Sequence, residues 1–252
     1  MSDNYYNDPR VSQSGLKTYL QCPGLYKAIY VDRSYQPPTT DTFTVGKAVD
    51  CLITQGRLAY NAQFEVVKRR SGEEGKIQLT GAMSANIEAL AAKIKAQPVM
   101  ETFSWMDNQT IIMTDKYKGM LDYFGIRRGI GYIADLKTTA DLDKIHYTVE
   151  DYGYYFQMAY YRWLIKQAGI KGIKKFKCYI IAIDKTPKMK FGVYEVDQRR
   201  FRHEEKIIKA TLKHLDQNPK FTKRLGKGVC QECPPEINCR WGKFTKKDIR
   251  KL

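Results

Sequence analysis

Residues 117–138 read YKGMLDYFGIRRGIGYIADLKT. Two runs rich in β-formers flank RRGIG, a glycine-bearing turn, so the stretch predicts consecutive strands over 117–126 and 131–138. A third strand over 110–114 precedes them. Side chains alternate along a strand, so Asp135 and Lys137 project together while Leu136 enters the opposite layer. A neighbouring strand would bring Asp122 beside them. Two carboxylates converging at a strand end repel each other unless a cation holds them. Mg²⁺ or Mn²⁺ is the hard, oxygen-seeking ion for such a site. It would acidify a water and stabilise charge on a phosphate. A lysine ammonium there can orient or deprotonate that water. An Asp-Leu-Lys triplet alone is common on exposed strands, so the rest of the chain has to decide.

Working outward, Leu16, Tyr19, Leu20, Leu25, Tyr26 and Ile29 recur at helical spacing behind Ser14 as cap, and Pro23 divides the pattern. Residues 1–12 are polar and predict a loose segment. Helices are expected over 44–56, 82–97, 151–168 and 198–215. Further strands are expected near 64–68 and over 174–183 and 190–196. The order is helices, three strands, a helix, then strands: an α/β domain with a central sheet covered by helices. We expect one domain over 1–252, a helical insertion at 72–108 and an irregular, basic, cysteine-bearing segment at 218–252.

The chain has 252 residues and is 43% hydrophobic, enough to bury a core without staples. No run of eighteen apolar residues and no signal-like N-terminus is present, so no membrane association and a cytoplasmic location are expected. The net charge of +16 favours a polyanionic partner, and the 18 tyrosines offer stacking surfaces to unpaired bases. Basic residues cluster at Lys171–Lys177, at Arg199–Lys206 and in the tail from Lys243. They carry no base-reading motif, which predicts little sequence specificity. The histidines, His146, His203 and His214, show no ligand spacing.

The run from KGMLDYF through IADLKTT to YFQMAYYRWL resembles the RecB-type branch of the PD-(D/E)XK nucleases, and also phage RecE-type exonucleases. Gly119 and Asp122 match a G-x-x-D strand. Asp135, Lys137 and Thr138 match a D-x-K-T strand, and Gln157 and Tyr161 match a Q-x-x-x-Y helix. SQSGLKTYLQCPGLY and VGKAVDCLI match the upstream pattern in part. The resemblance implies a restriction-endonuclease-like core in αβββαβ order. It implies a catalytic metal held by Asp122, Asp135 and the carbonyl of Leu136, and a water positioned by Lys137. Gln157 and Tyr161, one turn apart on a helix face, would brace the site or touch DNA. The family usually carries a histidine where this chain has Asp50, which can still ligate a hard ion and disfavours softer ones. The implied activity is a DNA nuclease, preferentially an exonuclease acting on ends or single strands, with a phage origin compatible. Alternatives are a catalytically impaired DNA-binding subunit of a recombination or repair complex, an endonuclease of the same fold, or an RNA nuclease.

Cys230-x2-Cys233-x5-Cys239 forms a compact late group, and Cys22 stands alone in the first helical segment. Four thiolates suit zinc or a [4Fe–4S] cluster. The one-early, three-late arrangement resembles the iron–sulfur nucleases, such as AddB-type domains and CRISPR-associated RecB-like nucleases, and so implies the cluster. Its role would be a staple joining the two ends of the domain over a loop of roughly two hundred residues. Cys51 and Cys178 lie in apolar segments and read as core.

Overall fold

The computed structural model of the protein describes residues 2–68, 75–217 and 221. The chain opens with α1 (Ser2–Asn7), where the sequence suggested a loose segment. Its exit is fixed by Lys118, a lysine only 5% exposed, whose ammonium donates to the carbonyls of Tyr5 and Asp8. The helix α2 (Gln13–Gln21) is capped by Ser12, whose hydroxyl accepts from the Gly15 amide at 3.2 Å. The cap thus falls two residues before the expected Ser14. Pro23 divides the pattern as expected. It opens α3 (Pro23–Tyr26) at a position where its missing N–H costs nothing. A π-helical turn, Lys27–Val31, follows.

Thr40 caps α4 (Asp41–Thr54) through the Phe43 amide. Next come α5 (Gly56–Gln63) and a small parallel pair, β1 (Phe64–Val66) with β2 (Ile77–Leu79). Thr80 caps α6 (Gly81–Lys95) in the same way as Thr40 caps α4. The main sheet then forms from β3 (Asp107–Met113), β4 (Lys118–Arg127) and β5 (Ile130–Thr139). After α7 (Ile145–Asp151) and α8 (Tyr154–Gln167) it is completed by β6 (Lys175–Asp184) and β7 (Phe191–Glu195). The last described helix is α9 (Phe201–Asp216).

The strands lie in sequence order, β3-β4-β5-β6-β7. All neighbours are antiparallel except β5 and β6, which run parallel, with Asp135 opposite Ile180 and Lys137 opposite Ala182. A parallel pair needs a crossover, and that crossover contains α8. This is the mixed central sheet flanked by helices that the sequence predicts.

Each face of the sheet carries its own core. On one side α2, α8 and α9 cover Leu121, Ile133, Cys178 and Ile180 through Leu16, Met158, Leu164, Phe201 and Ile208. On the other, α4 and α6 cover Tyr123, Ala134, Leu136 and Ile181 through Val49, Leu52, Ile87, Leu90 and Ile94. Fully burying one such side chain contributes ~1.5–3 kcal/mol, so both layers are pinned firmly to the sheet. Gly119 and Gly46 set how closely they approach. A Cβ at Gly119 would lie 2.7 Å from the Leu164 side chain of α8. One at Gly46 would lie 2.9 Å from Thr138 of β5.

Candidate active site

The site begins where β4 and β5 part. Their ladder runs from Arg127–Ile130 to Tyr123–Ala134, short of Asp122. There the Asp122 carboxylate accepts the Leu136 amide at 2.8 Å. On its other side, β4 pairs with β3 at Leu121–Thr110 and Tyr123–Asn108 but not at Asp122. Gln109, which falls between, has φ of +49°, a conformation that a side chain makes costly. Side-chain alternation slips at the same place. Leu121 packs in the α8 layer, yet Tyr123, two residues on, packs in the α4 layer. The register is the same on both sides of this point, so no residue is inserted, and the local twist alone turns a side chain. Here the residue re-aimed is Asp122.

Three carboxylates from three elements line this end of the sheet: Asp50 of α4, Asp122 of β4 and Asp135 of β5. Asp135 is 1% exposed. One of its oxygens accepts from Gln157 Nε2 at 2.7 Å. The other makes no well-angled hydrogen bond and meets only the Lys137 ammonium, in an ion pair. Asp50 Oδ2 accepts from Gln109 Nε2 at 3.2 Å, while its Oδ1 is buried without a partner. Such orphaned oxygens cost free energy unless something else binds them.

The electrostatics follow from that crowding. Burial first, and then the charge of Asp135, push Asp50 up to about 7. Burial and the charges of Asp50 and Asp135 hold Asp122 well above the usual carboxylate range. Burial alone would lower Lys137, but Asp135 and Asp122 outweigh it and keep the ammonium charged. Among the described residues no three acidic, histidine or cysteine side chains already converge at metal-binding distance. The Lys137 ammonium sits on the Asp135 oxygen that a cation would compete for. The donors are nonetheless of the kind a hard divalent ion takes: carboxylate oxygens, one of them on Asp50 buried without a partner. They fit Mg²⁺ or Mn²⁺.

Gln157 and Tyr161 are brought to the site as expected. Both are buried, at 8% and 6% exposed. Gln157 Nε2 also reaches Tyr161 Oη at 3.0 Å, and that hydroxyl donates to the Met120 carbonyl at 2.9 Å. Asp135 is thereby tied to β4 through α8. Leu136 faces the α4 layer as predicted.

The structure also brings in residues that the sequence did not flag. Gln109 holds Asp50. Tyr6 of α1 lies near Asp50 and Asp122, whose charges, after burial, raise its phenol. The Lys47 ammonium stands 5.7 Å from the centre of the Tyr6 ring. Lys17 of α2 donates to the Tyr152 carbonyl at 2.5 Å, and burial followed by the charge of Lys137 lowers it to about 8. No spacing rule marks these residues, because each arrives from a different element.

The expected cysteine clamp lies mostly outside the described residues, since Cys230, Cys233 and Cys239 belong to none of the described segments. Cys22 is described and buried, between α2 and α3. Cys51 and Cys178 are buried in the core as predicted. In the expected basic cluster at Arg199–Lys206, Arg199 pairs with Asp197 and Arg200 with Glu150 at the surface. The lysines that do face the site are Lys47, Lys144 and Lys185. No described helix is long and apolar enough to cross a membrane.

Residues 12–234 match the family described as a PDDEXK-like domain of unknown function (DUF3799), and the chain belongs to that family. The central mixed sheet with its flanking helices is accordingly a restriction-endonuclease-like fold. Among solved structures, a candidate exonuclease from Eubacterium rectale is similar over 99% of this chain and 96% of its own, with a TM-score of 0.68 at 19% identity. A phage related exonuclease from Haemophilus somnus 129PT aligns over 83% of this chain and 94% of its own, at 16% identity and a TM-score of 0.38. At these identities the likeness speaks to fold alone. None of the curated proteins matches the chain.

The raised Asp50 gives the metal-free protein a pH signature. Between the ordinary value of 3.8 and about 7 the folded state binds more protons than the unfolded state. Its stability therefore falls as pH rises through that window. Melting of the metal-free protein should drop between about pH 5 and about pH 8, and the drop should be smaller in Asp50→Asn. Added Mn²⁺ should raise the wild-type Tm more at the higher pH. Parallel profiles for the two proteins would contradict the assignment.

Proposed function

We propose that this member of the PDDEXK-like family is a divalent-metal-dependent DNA nuclease that hydrolyses phosphodiesters, and that it works as an exonuclease on ends or single strands. The observation that carries the reading is the buried Asp50–Asp122–Asp135 set facing Lys137, with one Asp50 oxygen unpartnered and one Asp135 oxygen held only by the Lys137 ammonium. The exonuclease preference rests on resemblance, and the names of the two solved neighbours agree with it.

In this reading Asp122, Asp135, Asp50 and the Leu136 carbonyl hold Mg²⁺ or Mn²⁺. When bound, such an ion neutralises the carboxylates, polarises the phosphate and acidifies a water. Gln157 keeps one Asp135 oxygen fixed and leaves the other free to ligate. Tyr161 holds Gln157 in place. Were Asp135 engaged in holding the ion, the Lys137 ammonium would leave its ion pair and could orient the attacking water or the phosphate oxygens. Lys137 remains charged, which favours orienting and electrostatic stabilisation over service as the resting base. Gln109 steadies Asp50, the residue that stands where the family usually has histidine.

Labelled single- and double-stranded DNA with Mg²⁺ or Mn²⁺ tests this directly. EDTA should abolish cleavage. Lys137→Ala should slow it by about 100-fold or more, the scale of a positioned proton-handling group. Products shortening progressively from one end would support the exonuclease form, and internal cuts would favour an endonuclease. Intact DNA binding with no cleavage under any of these conditions would leave the chain as a binding subunit.

We further propose that Cys22, Cys230, Cys233 and Cys239 hold a structural [4Fe–4S] cluster. What supports this is the course of the chain after α9. Phe221 stacks on Tyr26 at 6.1 Å and meets Tyr19 edge-on at 6.5 Å, so the chain returns beside Cys22. The four thiolates would then staple the two ends of the domain. Anaerobically purified protein should be brown and absorb broadly near 400 nm. Colourless protein containing stoichiometric zinc would replace the cluster with a zinc site.

A further inference from the structure

Asp50, Asp122 and Lys137 open into a cleft of about 740 Å³. Two large apolar side chains at this cleft are turned toward solvent, Phe43 and Tyr152, each 63% exposed. Singly exposed aromatics are ordinary on a protein surface. These two come from different elements and share one cleft with the site.

Their settings are built rather than incidental. Phe43, Lys47 and Asp50 recur at i, i+4 and i+7 of α4, so they form one stripe. Along it an aromatic ring, a cation and a carboxylate follow one another at steps of about 6 and 4.5 Å. Tyr152 sits at the turn between α7 and α8. Lys17 clamps its carbonyl, and the next residue, Gly153, takes φ of +61° to make the turn. Its ring stacks on Tyr154 at 6.1 Å and an interplanar angle of 27°. The Lys137 ammonium lies 5.2 Å from the centre of the Tyr154 ring. An aromatic run thus leads from solvent to the catalytic lysine. Lys144 and Lys185 line the same cleft.

We propose that Phe43 and Tyr152 are base-stacking positions for an unpaired nucleic-acid strand, whose phosphates run past Lys47, Lys144 and Lys185 toward the carboxylates. The inference rests on the nuclease reading and deepens it by specifying the form of the substrate. Bases inside a duplex have both faces covered, so exposed rings can engage only unpaired ones. The lysines supply the sequence-independent attraction. Among the described residues lining the cleft there is no Asn, Gln or Arg, the side chains that most often fork onto base edges. The strand is therefore held by stacking and charge, without regard to sequence.

The test is binding of a fluorescein-labelled DNA oligonucleotide to the 252-residue chain, followed by anisotropy in Ca²⁺ without Mg²⁺ or Mn²⁺. The same oligonucleotide as a duplex, and one with abasic sugars, run beside it. The single strand should bind more tightly than the duplex. Phe43→Ala and Tyr152→Ala should each weaken the single strand about 5- to 100-fold, the range for loss of one stacked base. Duplex binding should change little. Phe43→Tyr and Tyr152→Phe should retain wild-type binding, and abasic sugars should weaken the wild type but not the double alanine variant. Alanine variants that bind the single strand like wild type, or that lose both substrates equally, would overturn the proposal, as would a wild type that binds no strand. A cleavage assay in Mg²⁺ separates this result from the reading it rests on. Cleavage with unaltered binding in the variants sinks only the stacking positions. Stacking-dependent binding without cleavage sinks only the nuclease.

Discussion

The mutual repulsion of Asp50, Asp122 and Asp135, set against one ammonium, is the constraint around which the domain is arranged. Burial first, and then the charges of the neighbouring carboxylates, raise the cost of ionising Asp50 and Asp122. A fold that only needed stability would not place them together, since a satisfied apolar contact would serve better. The surrounding scaffold makes the arrangement tolerable. Two rigid layers are pinned to the sheet from opposite sides, and each delivers one part of the site. The α4 layer brings Asp50, and the α8 layer brings Gln157 and Tyr161.

The sheet supplies the remaining positions by departing from regularity at one point. The β4–β5 ladder stops just before Asp122, and a carboxylate replaces a backbone carbonyl as acceptor for the Leu136 amide. The strained Gln109, opposite Asp122, serves as the hydrogen-bond partner of Asp50. Backbone strain and catalytic geometry therefore occupy the same place, as expected when a site is held by its surroundings rather than by local preference. The parallel β5–β6 pair contributes in another way. It requires a crossover, and the crossover helix is the one that braces Asp135.

Much of this was legible in the sequence because it follows from short periods. Alternation along 131–138 placed Asp135 with Lys137 and sent Leu136 to the other layer. The i, i+4 spacing put Gln157 and Tyr161 on one face. What escaped depends on tertiary approach. Gln109 gave no signal because its role comes from the approach of Asp50 on a distant helix. Tyr6 and Lys17 reach the site from a segment read as loose and from a helix read only for its apolar face. Ser12 rather than Ser14 caps α2, a choice between two equivalent hydroxyls that only the chain's path decides. The expected helix over 151–168 starts later, at Tyr154, because Gly153 adopts the left-handed conformation and breaks it from α7. Arg199 and Arg200 counted toward a basic cluster, and the carboxylates beside them at the surface, Asp197 and Glu150, come from the fold and its turns.

The central claim is that the three carboxylates form a divalent-cation site, and binding of the ion itself tests it most directly. Metal-free protein can be titrated with Mn²⁺ at about pH 8, above the raised value of Asp50, while the signal of free Mn²⁺ is followed by electron paramagnetic resonance. The account expects Mn²⁺ to be taken up by the wild type and the uptake to be lost in Asp122→Asn and Asp135→Asn, both of which should still fold. Uptake that is the same in all three proteins, or absent from the wild type, would contradict it.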